Sequence, residues 1–330
     1  MKILVTGGAG FIGSHIVDAL IDSGHEVAVV DDLSTGFERN VHRRARFFRL
    51  DIRDAALGGL FEELRPDAVF HEAAHTVVTR SITDPAYDAG VNILGSLNVI
   101  AAAVRSGVKR FVYASSCAAY GPPRYAPVDE AHPLDPLCPY GVSKHTIEHY
   151  LLLNHGLYSL SFAALRYANV YGPRQNPAGE GGVVAIFAGL MLAGGRPVIF
   201  GNGDKTRDYV YVGDVVRANL LALEAASCGV FNIGTGVRTS DREVFDTLSR
   251  ELGYAAIPDY AAERPGEIRH IYLACDKACN ELGWRAATTF SEGIRRAAEY
   301  YRAALPPVKQ DRGGLQINRP GLQAWLRRDA

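Results

Sequence analysis

Tyr140 and Lys144 stand four residues apart in the stretch PYGVSK, a spacing that puts both side chains on one face of a helix. A phenol is a poor base at neutral pH, with a reference pKa of about 10, and a neighbouring ammonium favours its ionised form. Such a pair can take the proton of an alcohol while a hydride departs to an acceptor. Upstream, SSCAAYG, Ser115 to Gly121, offers two hydroxyls, a thiol and two alanines where the apolar run RFVYASS ends. Ser116 can steady the same alcohol. A bare tyrosine–lysine pair recurs by chance, so its meaning rests on the elements that position it.

Those elements alternate. KILVTG, EVAVVDD, RFFRLDIRD, DAVFHEAA, RFVYASS and LSFAALRYANVYG predict strands. FIGSHIVDALIDSG, AGVNILGSLNVIAAAVRSG and YGVSKHTIEHYLLLNHG predict helices. Alternation with short turns implies an α/β fold, a doubly wound parallel sheet of Rossmann type covered on both faces. After Gly172 the regularity fades into YGPRQNPAGEGG and IFGNGDKTRD, which read as loops around a cleft. DYVYVGDVVRANLLALEAA reads as a helix and GVFNIGTG as one more strand. The expected division is a Rossmann domain over 1–172 with a returning segment at about 208–236. A smaller mixed α/β substrate domain takes 173–207 and 237–305, and 306–330 forms a weakly ordered tail with a short helix around Trp325.

The 330 residues suffice for one large core or two smaller ones. A net charge of -1 gives no electrostatic footprint for nucleic acid. The basic run HRRAR, His42 to Arg46, reads as a solvated face. Five cysteines at scattered positions suggest neither a disulfide framework nor a metal set, and fit free thiols in a reducing cytoplasm. The N-terminal apolar run is too short for a signal peptide, and no stretch looks long and apolar enough to span a membrane.

The first strand runs into TGGAGFIG, Thr6 to Gly13, with glycines at 7, 10 and 13. These allow a tight turn, close backbone approach to a pyrophosphate, and packing of helix on strand. The helix N-terminus adds free N–H groups and partial positive charge. The second strand ends in Asp31 and Asp32, where a carboxylate accepts from an adenosine ribose and repels a 2′-phosphate; NAD is therefore expected over NADP. A simple strand-end turn is the plainer alternative, and Arg39 and Arg43 downstream weigh against the NAD choice. Asp51 and Ile52 follow the third strand and suit an adenine amino group and ring.

Taken together, TGGAGFIGSH, VVDDLSTG, LDIRD, VFHEAA, VNILGSLNV, SSCAAYG, PYGVSK, LRYANVYGPRQNP, GNGDKTRDYVYVGDV, FNIGTG and RPGEIRH run in order to about residue 285. In these the chain resembles the extended short-chain dehydrogenase/reductase family, and within it the UDP-glucose 4-epimerase branch. The resemblance implies that Gly7, Gly10, Phe11, Ile12, Asp31, Asp32, Asp51, Ile52, Ala73, Ala74 and His75 surround NAD. It implies that Asn92 orders that side of the site, that Tyr167 lies by the nicotinamide, and that Ser116, Tyr140 and Lys144 are the catalytic triad. Ser116, Cys117, Tyr140, Asn169, Val183, Phe200, Arg207, Arg264 and Glu267 would line the UDP-sugar site, the arginines gripping the diphosphate. Surface ion pairs, Arg207 with Asp208 and Arg264 with Glu267, are the plainer readings of those residues. Phe187 and Phe200 would flank a uracil, with core packing an almost equally good account.

Some positions depart from the family pattern. The related 4,6-dehydratases carry an acidic pair after the catalytic serine, for proton transfer at C5 and C6; here those positions hold Cys117 and Ala118. Elimination lacks its usual groups, so C4 epimerisation of UDP-glucose and UDP-galactose is expected. An N-acetylhexosamine or glucuronate substrate, a dehydratase using Cys117, and a non-catalytic NAD-binding protein stay open as alternatives. His75 stands where a glutamine or another non-histidine residue is more usual; it could contact cofactor or substrate, and a partly buried histidine is the favoured reading. Ala168 and Ile271 bear on the room for the sugar. Apolar residues beyond one stripe on two helices, together with the resemblance, imply a homodimer.

Overall fold

The computed structural model describes residues 1–177, 182–263 and 267–304; the tail and Arg264 lie outside them. Seven strands form one sheet in the order Gly229–Ile233, Ser161–Tyr167, Arg110–Ser116, Ala68–His71, Lys2–Thr6, Glu26–Asp31, Arg46–Arg49. Every pairing is parallel. The apolar strand runs are buried on both sides because alternate side chains feed opposite layers. Ile3, Val5, Val27 and Val29 pack with Ile16, Val17 and Leu20 of helix Phe11–Asp22 and with Val215 and Ala218 of helix Val212–Glu224. Leu4, Val30, Val69 and Phe111 pack on the other face with Leu57, Phe61, Val99, Ile100, Ile147 and Leu151.

Strand order reverses at Lys2–Thr6, which lies between Glu26–Asp31 and Ala68–His71. That is the crevice where open α/β sheets bind ligands. The crossing there is close. A Cβ on Gly7, at φ 70°, would sit 2.5 Å from the Ala73 nitrogen, and one on Gly13 would sit 2.2 Å from the Gly7 carbonyl oxygen.

Three sequence expectations change. LSFAALRYANVYG is two strands: Ser161–Tyr167 stays in the sheet, and Asn169–Tyr171 leaves it to pair with Tyr209–Tyr211. The hinge is Ala168, whose N–H still donates to Ile233 O, while the Asn169 N–H donates to Asp208 O, each at 2.9 Å. For the same reason DYVYV opens as strand, and the helix starts only at Val212. The third change concerns Pro85–Arg105. It is one continuous helical run of 21 residues whose most apolar 18-residue window has mean hydropathy 1.3, enough by length and composition alone to cross a membrane. The expected helix AGVNILGSLNVIAAAVRSG gains a turn at its start, and 44% of its apolar window is buried in the protein. Within it, Gly90–Gly95 winds as a π-turn.

A further core gathers Val184, Phe187, Met191, Phe245, Leu248, Ile294 and Tyr301 from helices Val183–Leu192, Asp241–Leu252 and Phe290–Ala304. Phe187 stacks edge-on against Phe245 there, at 6.3 Å between centroids, so its ring is core.

The Gly13 contact makes a prediction. Gly13→Ala must force the glycine turn apart, and overpacking of this kind costs about 2 kcal/mol. Urea denaturation should show that loss, whereas Gly24→Ser, with open space around its Cβ, should lose less and only through its positive φ.

Candidate active site

The glycine turn is held from below. Gly7 N–H donates to Val30 O at 2.8 Å, and Ala9 N–H donates to Asp31 Oδ2 at 3.0 Å. Asp31 Oδ1 takes the Leu33 N–H at 2.8 Å. Burial raises the Asp31 carboxyl above its usual range, against the pull of those two N–H groups. Asp32 is exposed and accepts from Ser34 N–H at 2.8 Å. Helix Phe11–Asp22 starts beside this turn with no side-chain cap and no acidic residue in its first turn. Its N-terminal field is left for an external anion. Phe11 and Ile12 open that helix, and Ala73 and Ala74 lie across the crevice, half-buried. Asp51 is engaged by Arg53, down to 2.6 Å, a hydrogen-bonded pairing that holds its carboxyl low. Ile52 is buried, and a Cβ on Gly95 would touch its side chain at 2.7 Å.

The reactive groups meet at the same sheet edge. Ser116 ends its strand directly opposite Tyr167 in register. Helix Pro139–Tyr158 begins with proline, as first turns favour, and approaches the serine loop through Gly141, where a Cβ would lie 2.5 Å from Ala118 O. This close contact sets the residue next to Gly141, Tyr140, beside the serine loop. Ser116 Oγ also accepts from Ala118 N–H at 3.2 Å. Lys144 is buried and donates to Ala114 O at 2.7 Å, with its Nζ 5.0 Å from the Tyr113 ring centroid.

The electrostatics differ from the sequence expectation. Burial pushes the Tyr140 phenol above its ordinary value, and the Ser116 hydrogen bond only partly offsets this. Burial pulls the Lys144 ammonium down to about 8, opposed by Glu72, Asp88 and Glu148. Lys144 alone therefore does not hold Tyr140 ionised.

Several neighbours escaped the sequence reading. Glu72 accepts from the Tyr167 hydroxyl at 3.1 Å, and burial raises its carboxyl to about 7 against the pull of Lys144. Tyr167 also accepts from Asn219 Nδ2 at 2.8 Å. Asn92 ties four groups together: Oδ1 accepts from His75 N–H at 2.8 Å, and Nδ2 reaches His75 O, Asp88 Oδ1 and Ser143 Oγ at 2.9, 3.0 and 3.2 Å. His75 Nδ1 meets Asp88 Oδ1 at 3.1 Å, and its buried Nε2 has no partner among the described residues. Beneath the lysine, Glu148 binds Arg166 at 2.8 and 2.6 Å and accepts from Ser115 Oγ at 2.6 Å. Burial by itself would raise the Glu148 carboxyl, yet Arg166 and His145 hold it at about 2. Glu148 lies four residues beyond Lys144, so helical spacing pointed to it; Arg166 comes from a distant strand.

The far side of the cleft is more open. Asn169 is exposed, while Val183, Phe200 and Arg207 are half-buried. Arg207 donates to Thr206 O at 3.0 Å and to Arg269 O at 3.3 Å. Asp208 is not its surface partner. That carboxylate is buried and accepts from the N–H groups of Thr235, Gly236 and Leu273. Glu267 pairs with Lys205. Ala168 and Ile271 are both buried in the core cluster, so packing sets their bulk. Burial raises the Cys117 thiol to about 11.

The profile of the NAD dependent epimerase/dehydratase family matches residues 3–234. The chain belongs to this family. UDP-glucose 4-epimerase of Mycolicibacterium smegmatis is 43% identical over 92% of this chain and 99% of its own. The Thermotoga maritima UDP-glucose 4-epimerase, solved with UDP-glucose, superposes with TM-score 0.90 at 46% identity, covering 92% of this chain and 99% of that one. The Thermus thermophilus enzyme, solved with NAD, gives TM-score 0.88 at 44% identity, covering 92% and 100%. The fold is theirs: a parallel Rossmann sheet flanked by helices. NAD is the cofactor of the epimerase/dehydratase family, and the groups here fit it. The side-chain-free cradle at Gly7 and Gly13, the uncapped helix start and Asp31 at the second strand end suit a dinucleotide.

In this family member the Glu148–Arg166 pair supports the catalytic helix. Glu148→Gln leaves a buried guanidinium without its counter-charge and should cost about 3 kcal/mol at neutral pH. The folded carboxyl is depressed from 4.5 to about 2. Its contribution is therefore full above 4.5 and is lost as pH falls toward 2. Urea titrations at descending pH should show the gap between wild type and variant narrowing over that window; a constant gap would contradict the account.

Proposed function

We propose that this enzyme epimerises C4 of a UDP-hexose, interconverting UDP-glucose and UDP-galactose. The observation that carries the reading is the convergence of Ser116, Tyr140 and buried Lys144 where the serine loop meets the helix, with Cys117 and Ala118, neither of them a carboxylic acid, following the serine. The names of the relatives support it. Bound NAD⁺ would supply the hydride acceptor for C4. Tyr140 takes the C4 hydroxyl proton, and Ser116 orients that hydroxyl. Burial raises the phenol above its ordinary value, and the positive charge of a bound oxidised nicotinamide would favour its phenolate. Glu72, Tyr167 and Asn92 fix the walls on that side, with the buried His75 tied behind them to Asn92 and Asp88.

Asn169, Val183, Phe200, Arg207, Arg264 and Glu267 hold the nucleotide diphosphate while the 4-keto hexose turns to offer its other face. Dehydration is disfavoured. Ala118 has no transferable proton, and a thiol raised to about 11 is a weak acid and is not ionised at neutral pH.

Residues 1–172 and 208–236 carry the cofactor, and 173–207 with 237–305 hold the nucleotide sugar. Gly229–Ile233 completing the central sheet and the separate core around Phe245 support that division. A second copy covers the exposed apolar side chains Val142, Leu152, Leu153 and Leu157 of helix Pro139–Tyr158, making a homodimer. The free thiols fit a cytoplasmic setting.

Proton NMR of the protein with UDP-galactose and no added NAD should show the UDP-glucose anomeric signal growing. Tyr140→Phe should slow this by at least about 100-fold while still releasing NAD on denaturation; near-normal turnover would remove Tyr140 from the role. Cys117→Ser should keep most of the activity, and abolition would reopen the dehydratase reading.

A further inference from the structure

Helix Pro139–Tyr158 carries a second chemical feature, turned away from the tyrosine and serine. The sequence HTIEH places His145, Glu148 and His149 within one turn. The Nε2 atoms of His145 and His149 lie 3.0 Å apart, with ring centroids at 4.5 Å. Two imidazole nitrogens bound to one tetrahedral zinc at about 2.05 Å are about 3.3 Å apart. The pair is thus within a few tenths of an ångström of chelating geometry.

The His145 ring is already oriented for that task. Its Nδ1 lies 3.1 Å from Glu148 Oε2. A carboxylate only accepts, so Nδ1 carries the proton and Nε2 is left as a bare lone pair facing His149. A histidine whose other nitrogen donates to a carboxylate is the arrangement that fixes tautomer and raises ligand basicity at metal sites. Glu148 is anchored in turn by Arg166 and Ser115, so the carboxylate holding His145 does not move. His149 is exposed and His145 keeps 22% of its side-chain surface, leaving room for water or another donor to complete the coordination.

We propose that His145 and His149 chelate a divalent transition metal ion of the zinc class through their Nε2 atoms. The metal takes the place of the proton that otherwise bridges the two rings, and that proton is retained on Nδ1 of His149; both imidazoles then bind as neutral ligands, and the charge of the ion is balanced by hydroxide or anions from solvent. The site has no part in the hydride chemistry. It lies on the helix face assigned above to a second copy, and a two-fold partner would add a second pair to the same region. Binding of one ion per chain, or of one ion per two chains, is therefore expected.

The test is isothermal titration of Zn²⁺ alone into the untagged, metal-stripped full chain. Saturable binding is expected, weakened at least about tenfold in both His149→Ala and His145→Ala, with the melting profile of His149→Ala unchanged in the absence of metal. With Cu²⁺ as probe, electron paramagnetic resonance should show coupling to two imidazole nitrogens, falling to one in His149→Ala. No saturable heat, or heat that both variants leave unchanged, would overturn the proposal and reduce the contact to a hydrogen bond between two rings.

Discussion

A lysine ammonium is held inside the protein, at the end of a parallel sheet, by a single backbone carbonyl. Taking that charge out of water is costly unless it is paired and hydrogen-bonded, and the surroundings of Lys144 answer the requirement. Ala114 O accepts its proton, the Tyr113 ring lies beneath it, and Glu72, Asp88 and Glu148 lend negative potential from three elements. Because none of these charges touches the ammonium as a direct ion pair among the described contacts, its pKa stays within reach of neutrality. The helix that carries the lysine must then be fixed in register with the strand that ends in Ser116. Gly141 against Ala118 and the Glu148–Arg166–Ser115 cluster do this from points about two turns apart on the helix. Placement of Tyr140 follows.

The cofactor side obeys a different constraint, which is proximity of backbone. Gly7 and Gly13 leave no room for a side chain, so the first strand, the turn and the first helix close on one another and on Ala73. Asp31 serves that closure directly by accepting from Ala9 N–H. Its buried carboxylate, at the end of the second strand, is a strut of the turn.

Much of this was legible from local patterns. The glycine spacing, the apolar strand runs and the four-residue interval from Tyr140 to Lys144 each encode their geometry within a few residues. What stayed hidden depended on distant chain. Arg166 reaches Glu148 from another strand, Tyr167 reaches Glu72 across the sheet edge, and the helix that carries Asp88 and Asn92 acquires His75 from the loop after Ala68–His71. The break in LSFAALRYANVYG left no mark, since Ala168 interrupts neither hydrophobicity nor β-propensity. Its cause is competition between Ile233 and Asp208 for consecutive N–H groups. Asp208 looked like a surface partner for Arg207 because adjacency in sequence says nothing of burial.

The wide turn at Gly90–Gly95 bears on how this chain tolerates length changes. Asp88, Asn92 and Ser96 recur every four residues, and all three are buried toward the strand ends. An α-helix with 3.6 residues per turn would let such a series drift around its axis. A π-turn lengthens the local period and keeps the three in line, so that Ser96 meets His71 at 2.8 Å while Asp88 and Asn92 meet His75. The segment thus behaves as a phase adjuster. Removing one residue from it would leave a better helix by hydrogen-bond count, with the His75 and His71 contacts rotated out of step.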